Sequence, residues 1–322
     1  MHEPLNAVVV GMGALGKNHA RIYAQSPNSR LLAVVDTDEN ARNHAAAEWG
    51  CRAAASLEEI SERIDLASVV VPTASHYSIA SALIERGAPV LVEKPITYTV
   101  EEGERLIALA EEKQVPLQVG HIERFNAAVM ELGKHLDQPL FIESHRLGPP
   151  TPRVKDVGVV LDLMIHDLDL ILSLVDSEIS SIDAVGVPIL TSREDIANAR
   201  LRFASGCIAN VTVSRVTPER QRKIRFFQRD AYLSLDFLTP DLQIYRKMTR
   251  EDGSIHITQE RPTLTAQEPL VAEIESFIRC VREGRPPLVS GRDGVRALRL
   301  ARQITEQVHQ VTESVLGEND RE

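Results

Sequence analysis

The chain has 322 residues, 43% hydrophobic and 25% charged, which is the balance of a folded protein long enough for two domains of ordinary size. Its formal net charge of −10 argues against a general affinity for nucleic acid, and no apolar run approaches the roughly 20 residues needed to cross a bilayer. Cys51, Cys207 and Cys280 lie far apart without CxxC spacing, so neither a disulfide framework nor a zinc site is implied, and a cytoplasmic setting with no signal peptide is expected.

The first 120 residues alternate short β-rich runs with amphipathic helical patterns. Strands are predicted at 7–10, 31–36, 66–71, 90–93 and 117–120, and helices near 15–26, 39–49, 75–87 and 100–113. This is the pattern of a doubly wound parallel sheet with helices on both faces. From about residue 123 the character changes. A helical segment (125–136), a strand (139–146), a proline-rich loop and a buried helix (157–175) precede alternating runs at 181–190, 197–214, 222–236, 242–249 and 254–259. Those runs read as antiparallel neighbours in one large open sheet. Amphipathic helices at 268–283 and 291–315 close the chain. The expected fold is therefore α/β: a dinucleotide-binding domain over 1–122, and an α+β substrate and oligomerisation domain over 123–322, with the last helices packing back on the first.

Three motifs carry chemistry. GMGALG at 11–16 follows a strand and opens a helix, the context that gives a glycine-rich pattern meaning. Gly11 permits the tight turn, Gly13 lets backbone approach a pyrophosphate, and Gly16 lets helix and strand pack closely. Met12, Ala14 and Leu15 complete the loop, and the helix N-terminus supplies N–H groups and partial positive charge. The second strand ends in Asp36, whose carboxylate can accept from ribose hydroxyls and would repel a 2′-phosphate, so NAD is favoured over NADP. Pro72, Thr73 and His76, and then Glu93 and Lys94 before Pro95, fall at carboxyl ends of strands, the edge where such sheets bind ligands. Lys94 alone also reads as an ordinary surface lysine.

The helix at 161–172 is apolar nearly all round, which marks burial. Asp162, His166 and Asp169 interrupt it at spacings of four and three and form one polar stripe. Asp162 can orient the imidazole and stabilise its protonated form, making His166 a candidate general base; a satisfied core histidine is the competing reading. A metal is not required, since neither a cysteine nor a second histidine sits at ligand spacing. The basic run Arg215, Arg220, Arg222, Lys223, Arg225 and Arg229 could attract a phosphorylated ligand or an acidic partner, although a solvated or subunit-facing strand surface is the favoured reading.

Taken together, GMGALGKNHA, VVPTASHY, VEKP, the helix carrying Asp162, His166 and Asp167, and the closing EPLVAEIESFIRCVREGRPPLVSGRDGVRAL resemble the Gfo/Idh/MocA oxidoreductase family over essentially the whole chain. The resemblance implies an NAD-dependent dehydrogenase whose catalytic trio is Lys94, Asp162 and His166, with His166 as proton acceptor. It also implies a cis bond before Pro95 and a sheet that mediates homodimers or homotetramers. VGHIERFNAAV and RLGPPTPRVKDVGVVLDLMIHDLD look most like the branch that oxidises the 3-hydroxyl of UDP-N-acetylglucosamine and hands the keto sugar to an aminotransferase. That likeness assigns Arg124, Asn126 and Arg153 to the substrate pocket, with Ala127 standing where related sequences usually carry proline. Another sugar or polyol, the reverse reduction, or a non-catalytic nucleotide sensor are the alternatives.

Overall fold

The computed structural model describes residues 3–150, 157–265 and 267–319. The chain forms two compact units, Met1–Phe125 with Gln267–Arg296, and Asn126–Ala266 with Ala297–Glu322.

The first unit opens with β1 (Leu5–Val10), α1 (Ala14–Gln25), β2 (Ser29–Val35), α2 (Glu39–Trp49), β3 (Arg52–Ala54), β4 (Leu66–Val69), α3 (His76–Glu85), β5 (Val90–Glu93), α4 (Val100–Lys113) and β6 (Leu117–Gly120). Its six strands are parallel in the order β3-β2-β1-β4-β5-β6. The order reverses between β1 and β4, so the carboxyl ends of those two strands define the switch point of the sheet. Strands β4, β5 and β6 are buried along their whole length, as sheets covered on both faces require. Helix boundaries follow local chemistry. Asp38 caps α2 by accepting from the amides of Asn40 and Ala41, and Thr99 with Glu102 forms a capping box on α4. The three-residue β3 was not among the predicted strands, because Arg52-Ala53-Ala54 carries no period.

In the second unit, α5 (Ala127–Gly133) and β7 (Phe141–Leu147) lead to a π-helical turn (Val160–Met164) and α6 (Ile165–Leu174). Seven strands follow: β8 (Ile179–Val187), β9 (Ile196–Phe203), β10 (Ile208–Ser214), β11 (Gln221–Gln228), β12 (Ala231–Asp236), β13 (Asp241–Thr249) and β14 (Ile255–Glu260). The predicted runs 197–214 and 222–236 each prove to be two strands joined by a tight turn. The eight-stranded order is β14-β13-β12-β11-β7-β10-β9-β8, antiparallel except that β7 and β10 run parallel. On β7 the residues alternate, Ile142, Ser144 and Arg146 buried and Phe141, Glu143, His145 and Leu147 half-buried. One face thus enters a core with Leu168 and Ile171 of α6 and Phe226 of β11. The other carries a ladder of rings from Phe141 through Phe227 and Tyr232 to Tyr245, with centroids 5.6, 4.9 and 5.6 Å apart.

The chain then returns to the first unit with α7 (Pro269–Glu283), which packs Leu270, Ile274, Phe277 and Ile278 into the cluster containing Ala7, Val9 and Tyr23. Helix α8 (Gly291–Asn319) is divided, its first turns lying in the first unit and the remainder in the second. Among the described residues no helix is long and apolar enough to cross a membrane.

Candidate active site

The glycine loop is built by steric necessity. Gly11 has φ +98, and a Cβ there would lie 2.2 Å from the carbonyl oxygen of Val70; one on Gly16 would lie 1.8 Å from the oxygen of Gly11. Gly13 is different, since a Cβ there meets nothing within 4 Å. Its missing side chain serves no packing inside the protein and leaves open space in front of the loop. Unlike α2 and α4, α1 has no side-chain cap, so its first amides are left for an external acceptor. Asp36, just past β2, binds the loop itself: its Oδ2 accepts the Met12 amide at 2.5 Å and its Oδ1 that of Asp38 at 2.8 Å. An uncapped helix start, a loop with open space before it and a carboxylate at the strand end fit a dinucleotide, with Ala14 and Leu15 exposed on the first turn.

Pro72 and Thr73 enter a 3-10 turn leading to α3, and His76 is buried behind them. Its Nδ1 lies 2.8 Å from the Pro95 carbonyl and its Nε2 2.9 Å from that of Val71. Burial pushes the imidazole pKa down, opposed by those two carbonyls. The ring thus sits between two carbonyls, bridging the end of β4 and the segment carrying Lys94 through the one N–H of its neutral form, and the Lys94–Pro95 peptide is cis.

Behind Lys94 lies a buried hydrogen-bonded row that the sequence reading did not find. Tyr23 Oη is 2.9 Å from Ser68 Oγ, Ser68 Oγ is 3.1 Å from His19 Nδ1, and His19 Nε2 is 3.1 Å from Glu93 Oε1. Each member passes one hydrogen bond to the next, with the donor at each ring nitrogen of His19 set by its tautomer. Burial raises the Tyr23 pKa, which keeps its hydroxyl protonated. Gly120 makes room for the arrangement, since a Cβ there would lie 2.8 Å from the Glu93 carboxyl carbon. Glu273 of α7 is fully buried, and among the described residues neither carboxylate oxygen has a hydrogen-bond partner. Burial, and then the charge of Glu93, raise its pKa well above the usual carboxylate range. The one local clue was His19 on the buried face of α1 with Ala20, Ile22 and Tyr23.

In the second unit the helix predicted over 157–175 is not uniform. A π turn carries Asp162 and α6 begins just before His166, so the spacing of four spans a change of helical type, a feature that concentrates at functional sites. Asp162 and His166 are half-buried, whereas Asp169, the third member of the expected stripe, is buried. Asp167 fixes the rotation of this helix. Arg146 Nε donates to its Oδ2 at 2.9 Å and Arg146 Nη2 to its Oδ1 at 3.1 Å, a two-pronged pair with side chains 5% and 1% exposed. Glu194 Oε1 accepts the Val160 amide at 3.3 Å, holding the start of the π turn.

Of the expected substrate residues, Arg124 lies 3.6 Å from Asp293 in the first unit. Asn126 caps α5 through its Oδ1 and the Ala128 amide, 3.0 Å apart. Ala127 is the first residue of that helix, the position where proline is most readily accommodated, so alanine keeps the helix. Arg153 lies outside the described residues.

A doubly wound parallel sheet with an unobstructed glycine loop, joined to an open sheet bearing an Asp162–His166 helix, defines an NAD-binding oxidoreductase. Residues 5–121 match the model of the oxidoreductase family with an NAD-binding Rossmann fold, and residues 134–233 match the GFO/IDH/MocA C-terminal domain. The chain belongs to the Gfo/Idh/MocA oxidoreductase family and is an NAD-dependent dehydrogenase. It is 38% identical to a UDP-N-acetylglucosamine 3-dehydrogenase from Acidithiobacillus ferrooxidans over 92% of this chain and 95% of the relative. A solved structure of the UDP-N-acetylglucosamine 3-dehydrogenase GnnA from that organism matches at TM-score 0.90 and 36% identity, covering 95% of this chain and 98% of that one. A scyllo-inositol 2-dehydrogenase (NAD(+)) from Bacillus subtilis is 27% identical over 91% of each chain.

Proposed function

We propose that this dehydrogenase oxidises the 3-hydroxyl of UDP-N-acetylglucosamine to the 3-keto sugar nucleotide. The observation that carries the substrate is the 38% identity over 92% of the chain to a UDP-N-acetylglucosamine 3-dehydrogenase, against 27% for the inositol enzyme. NAD, when bound, accepts hydride from the carbinol carbon. The loop Gly11–Gly16 and the start of α1 hold its pyrophosphate, Asp36 its adenosine ribose, and Pro72, Thr73, His76 and Glu93 form the strand-end edge beside it. His166 takes the hydroxyl proton on its imidazole, while Asp162 orients the ring and stabilises the imidazolium. The Lys94 ammonium stabilises negative charge developing on the substrate oxygen. Arg124, Asn126 and Arg153 contact the sugar nucleotide.

A keto sugar nucleotide is the natural substrate of an aminotransferase acting next. The half-buried ring ladder on the uncovered face of the open sheet supports a homodimer or homotetramer. The three free thiols, each pushed up to about 11 by burial, support a reducing cytoplasmic setting.

The test is absorbance at the NADH band with NAD and a panel of UDP-sugars, inositols and free hexoses, with a carbonyl trap to pull the oxidation forward. NADH formed with UDP-N-acetylglucosamine alone is the expected result. Signal with inositol alone overturns the substrate and leaves the chemistry. His166→Ala should lower turnover by about a hundredfold or more with NAD affinity unchanged.

A further inference from the structure

The basic run at 215–229 does not act as one surface. Arg225 pairs with Glu143 and Lys223 with Asp236 on the ring-ladder face of the sheet. Arg222 lies one residue out of phase with both, on the face that α6 covers, and its cross-strand partner in the β11–β7 register is Arg146. Together with Arg215 and Arg220 these two arginines line a cavity of about 190 Å³, and Asp162 lines the same cavity. Four guanidiniums and one carboxylate of the candidate catalytic pair thus share a single enclosure.

The four arginines divide by environment. Arg146 is consumed by Asp167. Arg215 is buried, 2.9 Å from Asp195, and also donates to the Val157 and Glu194 carbonyls at 2.6 and 3.2 Å. These two are walls of the cavity, their charges matched inside the fold. Arg220 and Arg222 are the exposed members of the lining. The volume is below the roughly 300–1,000 Å³ of sites that enclose a whole small ligand, so it suits one group of a larger molecule.

We propose that Arg220 and Arg222 form an anion subsite that holds a phosphate group of the substrate's diphosphate, and so select a sugar nucleotide over an uncharged sugar or inositol. Guanidinium forks match phosphate oxygens geometrically and stay charged at any working pH. Because the subsite opens on the cavity that Asp162 lines, the phosphate fixes the far end of the substrate relative to the helix bearing His166. The proposal deepens the substrate reading above and rests on it for the identity of the phosphate's carrier.

Binding of UDP is measured by calorimetry with NAD saturating, so that the glycine loop is filled. In parallel, KM and kcat for UDP-N-acetylglucosamine are measured for the wild type and Arg220→Gln/Arg222→Gln. The double variant should weaken UDP binding and raise KM by roughly tenfold or more, with kcat changed far less. Arg229→Gln, which removes one positive charge just past the end of β11, should leave both unchanged. A second route is Gly148→Leu. A Cβ there meets only the Arg220 side chain, at 3.8 Å, so a leucine enters the cavity against the stem of Arg220 while all four guanidiniums keep their charge, and it should block UDP. Wild-type turnover of the sugar nucleotide with KM and UDP affinity unaltered in the double variant overturns the subsite and leaves the substrate reading intact. Arginine-dependent UDP binding without oxidation of any UDP-sugar keeps the subsite and sinks that reading. Absence of UDP binding to the wild type, or equal weakening by Arg229→Gln, also overturns the subsite.

Discussion

Two buried polar systems back the two halves of the chemistry, and they are built on opposite principles. Behind Lys94, the row Tyr23–Ser68–His19–Glu93 is a chain of single hydrogen bonds ending on one carboxylate. Behind His166, Arg146 and Asp167 form one two-pronged ion pair. Losing a member of the first leaves each neighbour short of one hydrogen bond. Losing either partner of the second strands a charge in the interior.

Breaking the ion pair should therefore have the largest effect. Arg146→Leu leaves Asp167 buried and unmatched, and denaturant unfolding should show a loss of about 3–5 kcal/mol. Arg146→Leu combined with Asp167→Leu should recover most of that stability while turnover stays low, which would separate the pair's role in aiming the helix from its role in holding the unit. Next in size is His19→Leu, which deprives Glu93 and Ser68 of partners at an expected cost of about 1–3 kcal/mol. If that variant proves as costly as Arg146→Leu, the contrast between the two systems fails.

A smaller, pH-dependent effect belongs to Glu273. Its pKa is raised in the folded state, so the folded protein binds more protons than the unfolded chain above the ordinary carboxylate range. Stability is then fully present at acid pH and falls as pH rises towards the folded value, by up to about 1.4 kcal/mol per pH unit for this one group. Glu273→Gln should flatten that decline in urea melts between pH 5 and 8, whose range spans the raised side of a carboxylate near pH 4.3. A slope unchanged by the substitution would show Glu273 ionised in the fold. Smallest in stability is Gly13→Ala, which meets no protein atom and should change unfolding by less than about 0.5 kcal/mol while weakening NAD binding.

What the sequence made legible was what local spacing records. The glycine loop follows a strand, Asp36 ends the next one, and Asp162 and His166 share a helical stripe, all within windows of a few tens of residues. Both polar systems escaped because their members are far apart in the chain: Arg146 and Asp167 by 21 positions, His19 and Glu93 by 74. No periodicity says which buried polar residue meets which. The parallel pairing of β7 with β10 escaped for a related reason, since alternation reports a half-buried strand but not the direction of its neighbour. The π turn escaped because an i to i+5 bond leaves no mark on hydrophobic spacing. The basic run was read as one feature, whereas alternation along β11 sends its charges to two faces.

Helix α7 has a consequence for how the protein is made. The sheet of the first unit is complete by Gly120, yet the helix that fills its core with Leu270, Ile274, Phe277 and Ile278 begins only at Pro269 and ends at Glu283, so it leaves the ribosome well over a hundred residues later. At ordinary translation speeds that is a delay on the order of ten seconds. Throughout it, the apolar ground around Ala7, Val9 and Tyr23 lacks its permanent cover, so the packing of the amino-terminal half is finished only when synthesis is nearly over.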